Sequence, residues 1–195
     1  SDMIIDKNGV LHIVWVQRFG STTNSFLVYI KSINQGQNWT EPITLTLGIG
    51  CLIYNPILAL YSDNTVLLSY FSLKTEVEQS RIFLKKLEGD IWGDEIAVNG
   101  SHDYFYHSHT HSLAIDSNDK AYILWPNANL AHTLVVTYFN NQFSIVPSPT
   151  DYIKRFTIRK ALFDKNDVLH YSGFWGNTIG YSYYSNGQWL PFNLV

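Results

Sequence analysis

Four of the seven histidines of this 195-residue chain fall in one short stretch, Ser101-His-Asp-Tyr-Phe-Tyr-His-Ser-His-Thr-His-Ser112. In an extended backbone alternate side chains share a face, so His107, His109 and His111 would point the same way. A His-x-His pair on a strand can ligate one metal through imidazole nitrogens, and three can do so if the strand bends. The same residues also fit a wet, hydrogen-bonded polar rim, or a histidine that transfers protons. A second concentration is Lys154-Arg155 and Arg159-Lys160. Arginine offers a bidentate fork for carboxylates. With lysines beside both arginines, a solvated strand edge is the competing reading. No cofactor is required by these residues; a metal at His107/His109/His111 is the one exception to be tested.

Other chemistries are poorly supplied. The formal net charge is −3 and charged residues make up only 15% of the chain, so there is no basic footprint for nucleic acid. Hydrophobic residues make up 46% and aromatic residues 15%, enough for a core and unlike a disordered chain. No apolar run approaches the ~18 residues that span a bilayer, and no signal peptide is visible at Ser1-Asp2-Met3. Cys51 is the single cysteine, which excludes an intrachain disulfide and reads as a small apolar residue.

The elements that must position these residues are set by a repeat. Asp6-Lys-Asn-Gly-Val-Leu-His-Ile-Val-Trp15, Tyr61-Ser-Asp-Asn-Thr-Val-Leu-Leu-Ser-Tyr70, Asp116-Ser-Asn-Asp-Lys-Ala-Tyr-Ile-Leu-Trp125 and Asp164-Lys-Asn-Asp-Val-Leu-His-Tyr-Ser-Gly173 align. Their starts lie 61 − 6 = 55, 116 − 61 = 55 and 164 − 116 = 48 residues apart. Each has an apolar stretch before a polar turn and another after it, the pattern of a tight hairpin. A second β-rich run follows in every unit, then a polar turn and an aromatic, as in Leu27-Val-Tyr-Ile-Lys31 to Trp39. Four short strands per unit at this period predict an all-β fold, a β-propeller with four four-stranded antiparallel blades. The expected blades are residues 1–48, 49–100, 101–150 and 151–195 of a single domain, either a complete small propeller or part of a larger one. Trp15, Tyr70 and Trp125 end their second strands in register and are expected in the core between blades. His12 and His170 are expected to be structural.

Ser32-Ile-Asn-Gln-Gly-Gln-Asn-Trp39 resembles the Asp-box, Ser-x-Asp-x-Gly-x-x-Trp, of the sialidase-like (BNR repeat) propellers, with Asn34 where the aspartate belongs. Ser185-Asn-Gly-Gln-Trp189 is a shortened echo. The box is a folding device in that family: short polar side chains hold the turn and the tryptophan packs under it. The resemblance implies a functional face on the opposite side, built by the loops that lead into each inner strand and that join strands two and three. On that face the repeat alignment sets His111 level with Pro56 and Arg159, and His109 level with Tyr54 and Thr157. The expected ligand-binding set is therefore Tyr54, Asn55, His107, His109, His111, Arg155, Arg159 and Trp175. Aromatic faces and hydrogen-bonding groups of this kind suit a sugar.

A sialidase of this family needs three clamping arginines, a Tyr/Glu nucleophile pair and an acidic partner. This chain has four arginines in all, and the family's Arg-Ile-Pro motif is absent. Only Asp103 supplies a carboxyl in the histidine-rich segment, whereas glycoside hydrolysis normally uses two. The first expectation is a non-catalytic carbohydrate- or partner-binding module, at the cell surface or outside the cell. The alternative is a carbohydrate-active enzyme: a polysaccharide lyase of uronic-acid polymers, with His109 or His111, Tyr106 and Arg159 in the roles, or less readily a glycoside hydrolase. The partner is expected to be a glycan or a protein. A second copy, or a longer parent chain, would complete the propeller if four blades do not close.

Overall fold

The computed structural model describes residues 1–18, 24–74, 79–98, 110–127, 132–146, 157–175, 178–190 and 193–194. These residues are strands and turns. Among them no helix is long and apolar enough to cross a membrane. The chain divides into two compact units, Ser1–His102 and Asp103–Val195, and each holds two antiparallel sheets.

In the first unit, β1 (Asp2–Ile5), β2 (Leu11–Arg18), β3 (Ser25–Ser32) and β4 (Ile43–Gly48) pair in chain order. The second sheet is β5 (Cys51–Leu60), β6 (Val66–Lys74) and β7 (Gln79–Glu88), and its fourth position is shared by two short strands, β8 (Ile91–Trp92) and β9 (Ile96–Ala97). In the second unit, β10 (Ser112–Ile115), β11 (Ala121–Asn127), β12 (His132–Phe139) and β13 (Gln142–Val146) form one sheet. The other is β14 (Thr157–Phe163), β15 (Leu169–Trp175) and β16 (Thr178–Ser185), again with a divided outer position, β17 (Gln188–Trp189) and β18 (Asn193–Leu194).

The four repeat turns close in the same way. The N–H of Asp6, Tyr61, Asp116 and Asp164 donates to the carbonyl four residues on, at Val10, Thr65, Lys120 and Val168. Where the first residue is Asp, its Oδ1 also accepts two backbone N–H groups, as Asp6 does from Asn8 and Val10 at 2.8 Å. Asp116 and Asp164 repeat this pair of bonds. The fourth turn residue lies at positive φ in all four: Gly9 at 80°, Asn64 at 72°, Asp119 at 61° and Asp167 at 60°. Gly, Asn and Asp are the residues that tolerate this region, so the turn chemistry itself sets the hairpin register.

The Ser32 turn is held by the short polar side chains its spacing places there. Ser32 Oγ accepts from Gly36 N–H at 2.9 Å and pairs with Asn34 Oδ1 at 3.0 Å; Asn34 Oδ1 accepts from Asn38 N–H at 2.9 Å. Trp39 is 39% exposed, with its ring edge next to Gly36, so it is not the buried ring expected beneath the turn.

Each unit has its own core. Val14, Leu27, Ile53, Leu68 and Tyr70 meet in the first; Leu124, Val135, Ile158, Leu169 and Tyr171 meet in the second. Tyr70 and Trp125 are fully buried, as their register predicts, while Trp15 is half-buried. Equivalent bonds tie the two sheets within each unit. Leu58 N–H donates to Asp2 Oδ2 at 2.8 Å, and Ala161 N–H donates to Ser112 Oγ at 2.7 Å. Lys7 N–H donates to Asn64 Oδ1 at 3.1 Å, and Ser117 N–H to Asp167 Oδ1 at 2.9 Å.

His12 is 5% exposed, shares a 2.7 Å hydrogen bond with the Tyr29 hydroxyl through Nδ1, and has Asp6 Oδ2 at 3.8 Å from Nε2. His170 repeats the arrangement with Tyr181 and Asp164. Burial lowers the His12 pKa from the ordinary 6.5, outweighing the opposing pull of Asp6; Lys31 pushes the same way as burial. The folded chain therefore resists a proton that the unfolded chain takes up. This stability is present above the ordinary pKa and is lost as pH falls below it. The melting temperature is expected to drop on acidification through this range, and less steeply in His12→Gln. Equal slopes for the two proteins would refute the assignment.

Candidate functional site

In the first unit the candidate site is built at the start of β5. The register against β6 shifts between Tyr54 and Ile57, so the chain bulges there. A bulge adds residues on one strand and re-aims side chains. Asn55 sits in it at φ 51°, a conformation asparagine tolerates, and is exposed. Tyr54 packs at a tilt on Phe71, with ring centroids 6.2 Å apart. The Arg18 guanidinium, at the end of β2, lies 4.7 Å from the Tyr54 ring centroid. That is within cation–π range. Arg18 is a functional candidate the sequence did not single out, because 36 residues (54 − 18) separate it from its ring.

The connection that delivers β5 is fixed by Ser25, which is fully buried. Its Oγ accepts from Ile53 N–H at 2.7 Å and donates to the Cys51 carbonyl at 3.0 Å. Gly48 permits the close approach: a Cβ there would stand 2.8 Å from the Ser25 carbonyl oxygen.

In the second unit, β14 carries the corresponding irregularity, a register shift between Ile158 and Lys160. Arg159 lies in it, exposed, with its guanidinium 5.4 Å from the Phe174 ring centroid. Phe174 is 38% exposed, and Trp175 follows it as the last residue of β15. His111 is 1% exposed, so it stands behind the surface as a buried support for the start of β10. His107, His109 and Arg155 lie outside the described residues. Among the described residues no three His, Cys, Asp or Glu side chains are grouped to hold a metal.

A further feature of the first unit was not legible in the repeat. A cavity of about 400 Å³ is lined by Thr46, Gly48, Cys51, Tyr70, Lys74 and Arg81, together with Leu47, Ser72, Phe83 and Glu95. Tyr70 donates its hydroxyl proton to Glu95 Oε1, which also accepts from Thr46 Oγ1 at 2.6 Å. Burial, then the bond to Glu95, pushes the Tyr70 pKa far up, so the phenol keeps its proton.

Comparison of the sequence with protein families and with curated proteins finds no match. Solved structures do match. A protein of unknown function from Dyadobacter fermentans superposes with a TM-score of 0.73 at 10% identity, over 98% of this chain and 67% of its own. A Hadza microbial sialidase does so at 0.62 and 13%, over 98% of this chain and 44% of its own. An ulvan lyase of a new polysaccharide lyase family does so at 0.60 and 13%, over 93% of this chain and 51% of its own. The fold is that of a β-propeller. Its four antiparallel sheets are the four blades; among the described candidates, Tyr54, Asn55 and Arg159 lie on the first strands of their blades and Trp175 on a second strand. The chain spans about half the length of the carbohydrate-active propellers it matches.

Proposed function

We propose that this propeller is a non-catalytic carbohydrate-binding module that works outside the cell or at its surface. The observation that supports this most is the pairing of an arginine with an aromatic ring in both units: Arg18 on Tyr54, and Arg159 on the part-exposed Phe174. A ring offers an apolar platform for the C–H face of a sugar. A guanidinium near the ring keeps N–H groups for hydroxyls or carboxylates. Asn55 is proposed to add to the first platform and Trp175 to the second, and His107, His109 and Arg155 are proposed as further ligand-binding residues of the second unit. His111, buried next to Ser112, is proposed to hold the start of β10 in place.

The test is a glycan array of neutral and acidic polysaccharides, with ultraviolet absorbance followed on every hit for unsaturated uronate. Binding without product is expected. Arg159→Ala combined with Phe174→Ala should weaken that binding about tenfold, the loss of one well-packed anchor. Accumulating unsaturated product would replace this reading with a polysaccharide lyase. Unaltered affinity in the double variant would remove the arginine–aromatic pair from the site.

A further inference from the structure

The cavity of the first unit has a composition that follows from strand alternation. Tyr70, Ser72 and Lys74 fall on one face of β6. Tyr70 pairs across the sheet with Phe83, and Ser72 with Arg81, so these side chains share that face. Lys74 and Arg81 are then diagonal neighbours, close enough for two long side chains to meet. Both side chains are exposed, and they present two positive charges at one cavity. Neither cation has an acidic partner among the described residues. Thr46 of β4 and Glu95, in the turn between β8 and β9, complete the wall. Leu47 and Phe83 supply apolar surface.

We propose that this cavity is a second ligand site, which takes a sugar unit bearing one anionic group, a carboxylate or a sulfate ester. Arg81 and Lys74 hold the anion. The Thr46–Tyr70–Glu95 group reads the hydroxyls: Glu95 Oε2, unused in the bonds to Thr46 and Tyr70, accepts from a sugar hydroxyl. The volume, about 400 Å³, is in the range of small-ligand pockets. A sugar that carries an anion meets both the two cations and the hydroxyl-reading group; a neutral sugar or a bare anion meets only one of them. The choice of a sugar rests on the carbohydrate reading above; the anionic character rests on the cavity alone.

Cys51 lines the cavity, is partly exposed and is the single thiol of the chain. Its alkylation by iodoacetamide therefore reports occupancy of this cavity, and protection that is kept in Arg18→Ala separates it from the Tyr54 platform. The probes are glucuronate, glucose 6-sulfate, glucose and inorganic sulfate. With glucuronate or glucose 6-sulfate at about ten times its Kd, alkylation should slow by about tenfold. The two arms tell carboxylate from sulfate ester. Glucose and inorganic sulfate should protect weakly or not at all. Arg81→Gln with Lys74→Gln should abolish protection while the melting temperature is kept, and Glu95→Gln should reduce it. The assignment fails if neither anionic sugar protects Cys51, if glucose protects as well as glucuronate, or if inorganic sulfate matches glucose 6-sulfate. Protection that survives in Arg159→Ala is expected, and its loss there would overturn the independence of this site. Because the readout sits at Cys51, its failure is distinct from failure of the array.

Discussion

Replacing Trp125 with alanine is expected to lower the unfolding free energy by about 3–5 kcal/mol, the usual cost of emptying a buried tryptophan site. Trp125 is the largest fully buried side chain and sits on β11 opposite Leu134 of β12. Its indole N–H makes no hydrogen bond within the described structure, so the loss is one of packing alone. Leu124 and Val135, the adjacent cross-strand pair, point to the opposite face of the sheet and so cannot fill the gap. Trp125→Phe keeps most of the volume and should cost much less. Trp15, at the same repeat position but half-buried, should also cost less. Urea titration of the three variants measures this order. Equal losses at positions 15 and 125 would show that register and not burial sets the energy.

Ser112→Ala should cost about 1–3 kcal/mol, more than an exposed serine would. Ser112 is 1% exposed and its Oγ accepts from the N–H of Ala161, itself 2% exposed, at 2.7 Å. Alanine would leave that N–H buried without an acceptor, and water cannot reach it. The bond also crosses from β10 to β14, so its loss loosens the second unit as a whole. Ser112→Thr restores a hydroxyl and should recover much of the loss. The measurement is again chemical denaturation. A Ser112→Ala variant as stable as the parent would mean that Ala161 finds another acceptor.

What the sequence made legible here was local. The four hairpins were visible because Asp, Asn and Gly carry their turn chemistry within five residues, and the same backbone bond closes each turn. Strand order followed from the period. Tyr70 and Trp125 share a repeat position and are fully buried as expected, whereas Trp15 at the same position is half-buried. Three things were not legible, each for a physical reason. The Tyr70 hydroxyl goes to Glu95, 25 residues on, and no pattern announces that an aromatic placed in the core has a polar end at a cavity. Glu95 reaches it because the fourth position of this blade is divided into β8 and β9, which places an acidic turn where a continuous strand was expected. The repeat sets His111 level with Arg159, yet one is buried and the other exposed, since a repeat alignment carries no information on the depth of the side chain.

The paired bonds within each unit have a consequence for anyone recombining these blades. Asp2 serves Leu58 as Ser112 serves Ala161, and Lys7 meets Asn64 as Ser117 meets Asp167. A graft that carried one sheet of a pair would separate a buried N–H donor from its only known acceptor, at Leu58 or at Ala161. The transferable module is therefore a doublet of sheets, β1–β9 or β10–β18, carried whole. Cassettes that split either doublet should be enriched in chains that do not fold.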